Sequence, residues 1–485
     1  MVERVKSKIK NVNVGAKSAV VYTLSILFSR GLAILSVPIF TRIMSTSEMG
    51  VVNLYNSWYS IISSIATLSL TSGGYIVALK EFSDKRDEYQ SSVLSLTSII
   101  ALVITLVFAI NPTFWERVLG LPIHLLWLMA LGFLFAPARD FWLARQRFEY
   151  KYIIPGVITI GSAIIATVLS VCAVIYSDKI GIESTATYRL FANYIVIYGV
   201  SFVIWFGTFK KGKTFFVKEY WVLSLQLSIP LVGYAVATQI LNVSDQMMIS
   251  KMVDNSSVGI YGTIYTVSSL SLMVWGAIHS SFVPYLYQNI DKPNSGVKKV
   301  SRLLVFMYGM IAVLATYLAP EIVAILATEE YYEAIYIMPP IAAGVFLTCL
   351  TNLYSDIPVY FKKTKYVMYP AIIAAVLNLI LNYIFIGIYG YMAAAYTTMA
   401  SYVVWVILQI FWANLIEKQQ GITEGVFNNK ILSAISILTM VLCMAGIPLY
   451  NFKVIRYVAA CAIIVIALFA AKSIYTLGQN PIKKK

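Results

Sequence analysis

Long apolar runs separated by short polar connections constrain the fold of this chain more than any other feature. We count fourteen runs of about 20 residues or more, enough for a helix to cross a hydrocarbon core of roughly 30 Å. A membrane β-barrel strand needs only about 10 alternating residues, so the runs exclude a barrel. The sequence predicts an all-α polytopic membrane protein with about 14 transmembrane helices. The runs lie near 20–43, 50–79, 91–110, 119–142, 153–176, 189–209, 221–250, 258–287, 297–319, 331–361, 366–387, 390–415, 430–450 and 455–475.

Composition and charge agree with a membrane protein. The mean hydropathy is +0.77 and only 12% of residues are charged, against about 25% in soluble domains. The net charge of +15 does not indicate a nucleic-acid partner, because the basic residues form short groups in the connections. With the N-terminus inside, 29 of the 37 Lys and Arg residues lie on the inner side and 7 on the outer side. This asymmetry predicts that both termini are cytoplasmic.

An internal repeat relates the two halves of the chain. The segment TRIMSTSEMGV (41–51) aligns without a gap with SKMVDNSSVGI (250–260), at a shift of 209 residues. Duplicated halves are typical of secondary transporters, whose site lies between the repeats near mid-membrane. We therefore predict an N-lobe (1–209), a cytoplasmic connector (210–220) and a C-lobe (221–415). The remainder (416–485) holds two accessory helices, interpreted as a lipid-facing pair, and a basic cytoplasmic tail.

Charged residues inside the apolar runs are the main site candidates. Arg30 lies near the middle of the first run, where a charge costs roughly 3 kcal/mol, so it is expected to face a polar cavity or to pair with a carboxylate. Pro38 in the same run is expected to bend the helix. Asp245 is interpreted as an ion-pair partner of Lys251, as a coupling site for a cation or proton, or as a snorkelling side chain. Arg42 and Lys251, equivalent in the repeat, are expected to form an outer vestibule.

Further candidates are uncharged or lie at helix ends. Cavity lining is predicted for six residues, among which the tyrosines could offer rings and hydroxyls to sugars: Gln239, His279, Tyr55, Tyr234, Tyr261 and Tyr265. Gln239 is the repeat equivalent of Arg30, and His279 is also consistent with a packed, hydrogen-bonded histidine. Arg139, Asp140 and Asp356 are interpreted as solvated charges at the inner membrane face.

No pattern predicts catalysis, a metal or a cofactor. Residues 207–214 (GTFKKGKT) fit the P-loop pattern, but a membrane run ends there and no preceding strand is predicted, so we expect no nucleotide binding. The two histidines lack metal-ligand spacing, and the four cysteines lie in apolar runs without a C-x-x-C pair. We expect neither an enzyme nor a nucleic-acid-binding protein.

Three passages resemble a known family: PIFTRIMSTSEMGVVNLY (38–55), NVSDQMMISKMVDNSSVGIYGTIYTV (242–267) and YFKKTKYVMYP (360–370). They are similar to the Wzx-type polysaccharide flippases of the multidrug/oligosaccharidyl-lipid/polysaccharide (MOP) exporter superfamily, and the resemblance covers most of residues 15–415. It implies two six-helix lobes around a V-shaped cationic cavity. It also implies that Arg30 contacts the pyrophosphate of the cargo.

The resemblance further implies a function and partners. The cargo would be oligosaccharide repeat units on undecaprenyl pyrophosphate, moved across the bacterial plasma membrane by alternating access for capsule, O-antigen or exopolysaccharide synthesis. Membrane lipids, a polysaccharide polymerase and a chain-length regulator are the partners implied. Two alternatives are a peptidoglycan-precursor flippase and a drug or cation antiporter of the same superfamily; a mid-span arginine argues against the latter.

Overall fold

A computed structural model describes residues 14–479 of the chain, apart from residues 73, 182–183, 291, 293–295 and 423. Within these ranges the secondary structure is helical, with no strand. The chain divides into two compact units, residues 1–236 and 237–485.

The first unit contains nine α-helices and the first part of a tenth among its described residues. They are α1 (Val14–Leu35), α2 (Val37–Ile43), α3 (Thr46–Ala66), α4 (Gly74–Glu81), α5 (Arg86–Ile110), α6 (Pro112–Leu119), α7 (Ile123–Phe148), α8 (Ile153–Ile180), α9 (Thr185–Gly212) and α10 (Lys218–Met252). A 3-10 helix, Leu70–Ser72, lies between α3 and α4.

The second unit contains the end of α10 and nine further helices in the part of the chain that is described. They are α11 (Asn255–Ser268), α12 (Leu270–Asn289), α13 (Val297–Tyr317), α14 (Ala319–Leu326), α15 (Met338–Tyr360), α16 (Lys365–Tyr389), α17 (Ala393–Gln419), α18 (Asn429–Leu449) and α19 (Lys453–Gln479). A 3-10 helix, Glu329–Ile337, precedes α15.

The predicted all-helical membrane fold is confirmed. Eleven spans among the described residues are long and apolar enough to cross a membrane, or twelve if the two parts of α10, bent by 46° around residue 230, form one span. The other two predicted runs are helical but are not among these twelve. Residues 50–79 are divided between α3, the 3-10 helix and α4, and α3 carries several serines and asparagines; residues 455–475 belong to α19.

Proline interrupts the first span as predicted. α1 ends at Leu35, and α2 begins at Val37 with Pro38 in its first turn. Because proline has no N–H to donate, it is tolerated in the first turn of a helix, where the amides lack partners. Within a helix it would interrupt the backbone hydrogen bonds.

The predicted repeat is confirmed at the level of helix boundaries. α2 and α10 end at Ile43 and Met252, and α3 and α11 begin 209 residues apart. Equivalent side chains cap the second helix of each pair. Ser45 accepts a hydrogen bond from the Glu48 amide (3.2 Å), and Asp254 accepts one from the Ser257 amide (2.7 Å). Both satisfy an amide that the helix leaves without a partner.

Glu48 also joins two helices of the first unit. Its Oε2 atom accepts hydrogen bonds from the Ala186 amide (2.5 Å) and the Thr185 hydroxyl (3.2 Å), at the start of α9. The N-cap residue of α9, Ser184, makes no side-chain capping bond of its own. Glu48 therefore caps α9 from a distant part of the sequence, and its negative charge suits the positive end of that helix.

A cluster of ion pairs joins the start of α5 to the end of α7. Arg145 bonds to Asp87 (2.5 Å) and Glu149 (2.9 Å), and Lys151 bonds to Glu149 (2.6 Å). Burial acts to raise the pKa of the Glu149 carboxyl, but the hydrogen bonds from Lys151 and Arg145 outweigh it and lower that pKa below its usual value.

The predicted connector is bound to α5. The Val217 amide donates to the Ser92 hydroxyl (3.1 Å), and the Phe215 carbonyl accepts a hydrogen bond from the Ser95 hydroxyl. The residues between α9 and α10 are thus held in place by hydrogen bonds to a single helix of the first unit.

In the second unit α15 is the central helix. Almost every residue from Met338 to Pro358 is buried, and α15 packs against α12, α13, α17 and α18. The accessory helices α18 and α19 pack on α13, and at Gly446 a Cβ would meet Thr316. The Arg456 guanidinium of α19 is 1% exposed and makes a bidentate bond with Glu321 of α14. The accessory pair therefore has one firmly packed side, while Ile437 and Val441 are exposed.

Candidate functional site

Arg30 is an exposed cation inside a span of the first unit. It lies near the middle of the candidate span Val20–Ile43, and no described residue gives it a hydrogen bond or ion pair. An exposed guanidinium within an apolar span favours contact with water or an anion over contact with hydrocarbon. Its repeat equivalent in the second unit, Gln239, is half-buried.

The two vestibule candidates occupy the last turns of equivalent helices. Arg42 is the residue before the last of α2, and Lys251 is the residue before the last of α10; both side chains are exposed. A cation in the last turn interacts favourably with the negative end of its helix. Each unit thus presents one basic side chain at the same point of its repeat.

Asp245 occupies the centre of a buried polar cluster in the second unit. The residue is 1% exposed, which does not fit a snorkelling side chain. Three groups donate to its carboxylate: the Tyr261 hydroxyl (2.5 Å), the Asn382 amide (2.7 Å) and the Thr398 hydroxyl (2.7 Å). The donors come from α11, α16 and α17, which therefore meet at this carboxylate.

A second layer of polar side chains supports that cluster. Asn378 accepts from Ser244 (2.9 Å) and donates to Thr398 (2.9 Å), and the Thr397 hydroxyl donates to Asn382. Buried polar groups are rarely left without partners, and here nearly all bond one another. The cluster is rich in oxygen atoms, which suits a proton or a hard cation such as Na⁺. No group of three His, Cys, Asp or Glu side chains among the described residues forms a metal site.

Three of the four predicted tyrosines are too deeply buried to contact a sugar. Tyr55 and Tyr261 are fully buried and Tyr265 is 9% exposed, whereas Tyr234 is half-buried. Burial has a clear cause for Tyr261, since its hydroxyl is a donor to Asp245. Tyr55 packs within a cluster of aromatic rings in the first unit.

His279 and Asp356 form a pair that the sequence did not indicate. The His279 Nε2 atom lies 2.8 Å from Asp356 Oδ2, joining α12 to α15, and the imidazole stacks on Trp275. Asp356 is 7% exposed, so it is not the solvated charge expected at the inner face. Partners on helices distant in sequence explain why the pair was missed.

The P-loop pattern has a different structural role. Residues 207–212 continue α9 as regular helix instead of forming a glycine-rich loop before a helix. A Cβ at Gly212 would collide with the Asp87 carbonyl and with Ser91 of α5, so glycine allows α9 and α5 to approach. The geometry gives no phosphate cradle at this point.

The fold is that of membrane transporters. The structure is similar to the lipid II flippase MurJ in its inward closed conformation, with a TM-score of 0.72 and 16% identity over 95% of this chain and 100% of that one. It is also similar to an inward-facing multidrug-resistance MATE transporter of the MOP superfamily, with a TM-score of 0.61 and 14% identity over 84% and 99%. A MOP transporter from Pyrococcus furiosus gives a TM-score of 0.51, with 14% identity over 82% and 95%. The class is thus a multi-pass membrane protein with a MOP-type transporter fold.

The sequence family is narrower than the fold. The model of the family described as polysaccharide biosynthesis protein matches residues 16–290, more than half of the chain. The chain belongs to this family. A sequence comparison with curated proteins gives no match.

Proposed function

We propose that the protein is a flippase for oligosaccharide repeat units linked to undecaprenyl pyrophosphate. It would turn them from the cytoplasmic to the outer leaflet of the bacterial plasma membrane, for capsule, O-antigen or exopolysaccharide synthesis. The observation that carries the proposal is the match of residues 16–290 to the polysaccharide biosynthesis family, on a chain with a flippase-like fold. Both termini are cytoplasmic in this proposal, and a polymerase and a chain-length regulator act on the product.

The main energetic cost of flipping comes from moving the polar head group of the lipid-linked cargo through the membrane. A pyrophosphate and a string of hydroxyls cannot cross hydrocarbon without a polar route, whereas the polyprenyl tail can stay in lipid. Arg30 supplies a permanent cation at mid-span, and a guanidinium matches phosphate oxygens geometrically. In the proposed mechanism residues 1–209 and 221–415 act as two lobes that open alternately to each side, with Arg42 and Lys251 as basic side chains at the outer end.

A second cargo is favoured by one specific observation. The similarity to the lipid II flippase MurJ extends over 95% of this chain, so a peptidoglycan precursor is the alternative substrate. Both cargoes share a polyprenyl pyrophosphate, and they differ in the sugars. A drug or cation antiporter is disfavoured, because it would favour acidic side chains in its cavity, whereas this chain offers the mid-span Arg30.

Deletion of the gene tests the function directly. We expect lipid-linked repeat units to accumulate on the inner face and surface polysaccharide to be lost, as measured by extraction and analysis of lipid-linked sugars. Accumulation of peptidoglycan precursor instead would support the alternative cargo. Unchanged lipid-linked intermediates would contradict both.

Arg30 is tested in purified protein reconstituted into vesicles with fluorescent lipid-linked units. Arg30→Gln should slow flipping at least ~10-fold, because a hydrogen bond between charged groups contributes about 1.5–3 kcal/mol, and Arg30→Lys should keep part of the rate. Leu27→Ala, another exposed position of α1, is the control. A wild-type rate in Arg30→Gln would remove Arg30 from the site.

A further inference from the structure

A histidine and an aspartate link two packed helices of the second unit, α12 and α15. The His279 Nε2 atom lies 2.8 Å from Asp356 Oδ2. α12 contains no Asp, Glu, Lys, Arg or His other than His279, and α15 contains none other than Asp356. Both lie within candidate spans, Asn255–Asn289 and Glu329–Tyr360. Ionisable residues inside spans usually pair with one another and mark routes for protons or ions.

The carboxylate of Asp356 depends on this one contact. Asp356 is 7% exposed, and His279 is its only hydrogen-bond or ion-pair partner among the described residues. Asp245, by contrast, receives hydrogen bonds from three donors. A buried carboxylate needs donors or a cation to replace its hydration. The charge of Asp356 is therefore well compensated only when the imidazole of His279 is positively charged.

The pair leaves one nitrogen of the imidazole available for a proton. An ionised carboxylate can only accept hydrogen bonds, so the hydrogen between the two groups is on Nε2 of His279. In the neutral imidazole Nδ1 is then the basic atom, and it has no hydrogen-bond partner among the described residues. The His279 side chain is 20% exposed, and the neighbouring Ser280 and Ser281 are exposed as well. This polar, accessible stretch of α12 suits contact with water, which can deliver a proton to Nδ1.

The other titratable groups packed around the pair are tyrosines. The imidazole stacks on Trp275, whose ring lies 5.3 Å from that of Tyr308 of α13, and Tyr287 of α12 packs on Tyr360 of α15 (5.2 Å between centroids). α11, which also packs on α12, has no charged residue. The charged residues of α13 and α17 lie near helix ends and form no ion pair with Asp356: Lys298, Lys299, Arg302, Glu417 and Lys418. His279 is therefore the cation that Asp356 contacts.

We propose that His279 and Asp356 form a proton-binding site that controls the contact between α12 and α15. With a proton on Nδ1, the imidazolium and the carboxylate form a charge-assisted pair that holds the two helices together. Loss of that proton leaves the buried carboxylate with one neutral donor, so the contact weakens and α12 separates from α15 more readily. Histidine is the side chain whose charge ordinarily changes between roughly pH 5 and 8, so pH in that range sets the strength of the contact.

The first test reads the protonation of His279 by ¹⁵N NMR of histidine-labelled, untagged protein in detergent. The chain has only two histidines, so His124→Gln, a change at an exposed position of α7, leaves His279 as the one labelled residue. We expect its signals to titrate between roughly pH 5 and 8, and its neutral form to carry the hydrogen on Nε2. An imidazole that does not titrate in this range, or whose neutral form carries the hydrogen on Nδ1, overturns the site.

The second test measures the contact between the helices by hydrogen–deuterium exchange of the α12 amides. Exchange at about pH 6 and about pH 8 is corrected for the intrinsic rate at each pH, and the control His124→Gln should exchange at least ~3-fold faster at the higher pH. His279→Gln keeps only a neutral donor and should exchange fast at both pH values. His279→Lys keeps a cation and should exchange slowly at both, and Asp356→Asn should lose the pH dependence.

The two tests support or overturn the site without reference to the proposed function, because neither includes the lipid-linked cargo. A pH dependence in His279→Gln equal to that of the control overturns the proposal, as does exchange in the control that is independent of pH. The NMR test requires only a variant at an exposed position, so it decides the matter if the variants of the pair fail to fold.

Discussion

Asp245 receives its hydrogen bonds from three different helices. The donors Tyr261, Asn382 and Thr398 come from α11, α16 and α17. A buried ionised carboxylate is tolerated only when donors replace its hydration, and here three donors do so. A change in the charge of the Asp245 carboxylate therefore alters the contacts of three helices at once. Coupling of transport to a proton or cation gradient requires such a link.

At this scale we predict that Asp245→Asn uncouples flipping from its driving gradient. The substitution keeps the size of the side chain and removes its charge, so neither a proton nor a cation is held. Flipping is measured in vesicles with an imposed pH or Na⁺ gradient, and the variant should run at the rate that wild type shows without a gradient. The control Asp254→Asn, whose amide still caps α11, should respond like wild type. A variant that keeps its gradient dependence would exclude Asp245 from coupling.

The sequence predicted single residues well only where the relevant partners are local. The caps Ser45 and Asp254 act within one helical turn, so the repeat alignment located equivalent turns to the residue. The partners of Asp245 are as far as 153 positions away, and no periodicity reveals which polar residues of two apolar runs will meet. The same distance effect hid the pairing of His279 with Asp356.

Helices approach one another closely at particular small residues. α9 meets α5 at Gly212, where a Cβ would collide with the Asp87 carbonyl and Ser91. Gly207, one and a half turns earlier on the same helix, has open space around it. These are the two glycines of the P-loop pattern, and only one of them has a structural reason to be glycine.

We therefore predict opposite results for two glycine substitutions in α9. Gly212→Ala should destabilise the protein by about 1–3 kcal/mol through overpacking, whereas Gly207→Ala should be neutral or slightly stabilising, because alanine favours helix. The midpoint of thermal unfolding in detergent measures both. Nucleotide binding would predict instead that both variants lose ATP affinity without loss of stability, and that result would reverse our interpretation of the motif.

The last two helices, α18 and α19, belong to the second compact unit of the chain. The hydropathy pattern predicted α18 and α19 but not their packed side, because Arg456 at the start of α19 appears in the sequence as one more outer-loop charge. In the structure its guanidinium is buried and donates to the Glu321 carboxylate and to the Tyr317 carbonyl. Burial acts to raise the pKa of the Glu321 carboxyl, but the bonds from Arg456 and Tyr457 outweigh it and lower that pKa.

We predict that Arg456→Gln destabilises the whole protein. Removing one partner of a buried pair costs roughly 3–5 kcal/mol, and because Glu321 is 32% exposed we expect the lower end of that range. The readouts are the amount of folded protein extracted in detergent and its unfolding midpoint. Lys453→Gln, an exposed cation of the same helix, should behave like wild type. Equal stability of both variants would mean that α19 is only loosely attached.

The cap that Glu48 provides for α9 has a consequence for assembly. Glu48 and Ala186 are 138 positions apart in the sequence, and Glu48 lies on the earlier helix, α3. During synthesis α3 leaves the ribosome well before α9, so the carboxylate is already in the membrane when the first turn of α9 arrives. When α9 inserts, the Glu48 carboxylate is thus already in place to bind its first amides. This contact can fix the depth of α9 in the membrane.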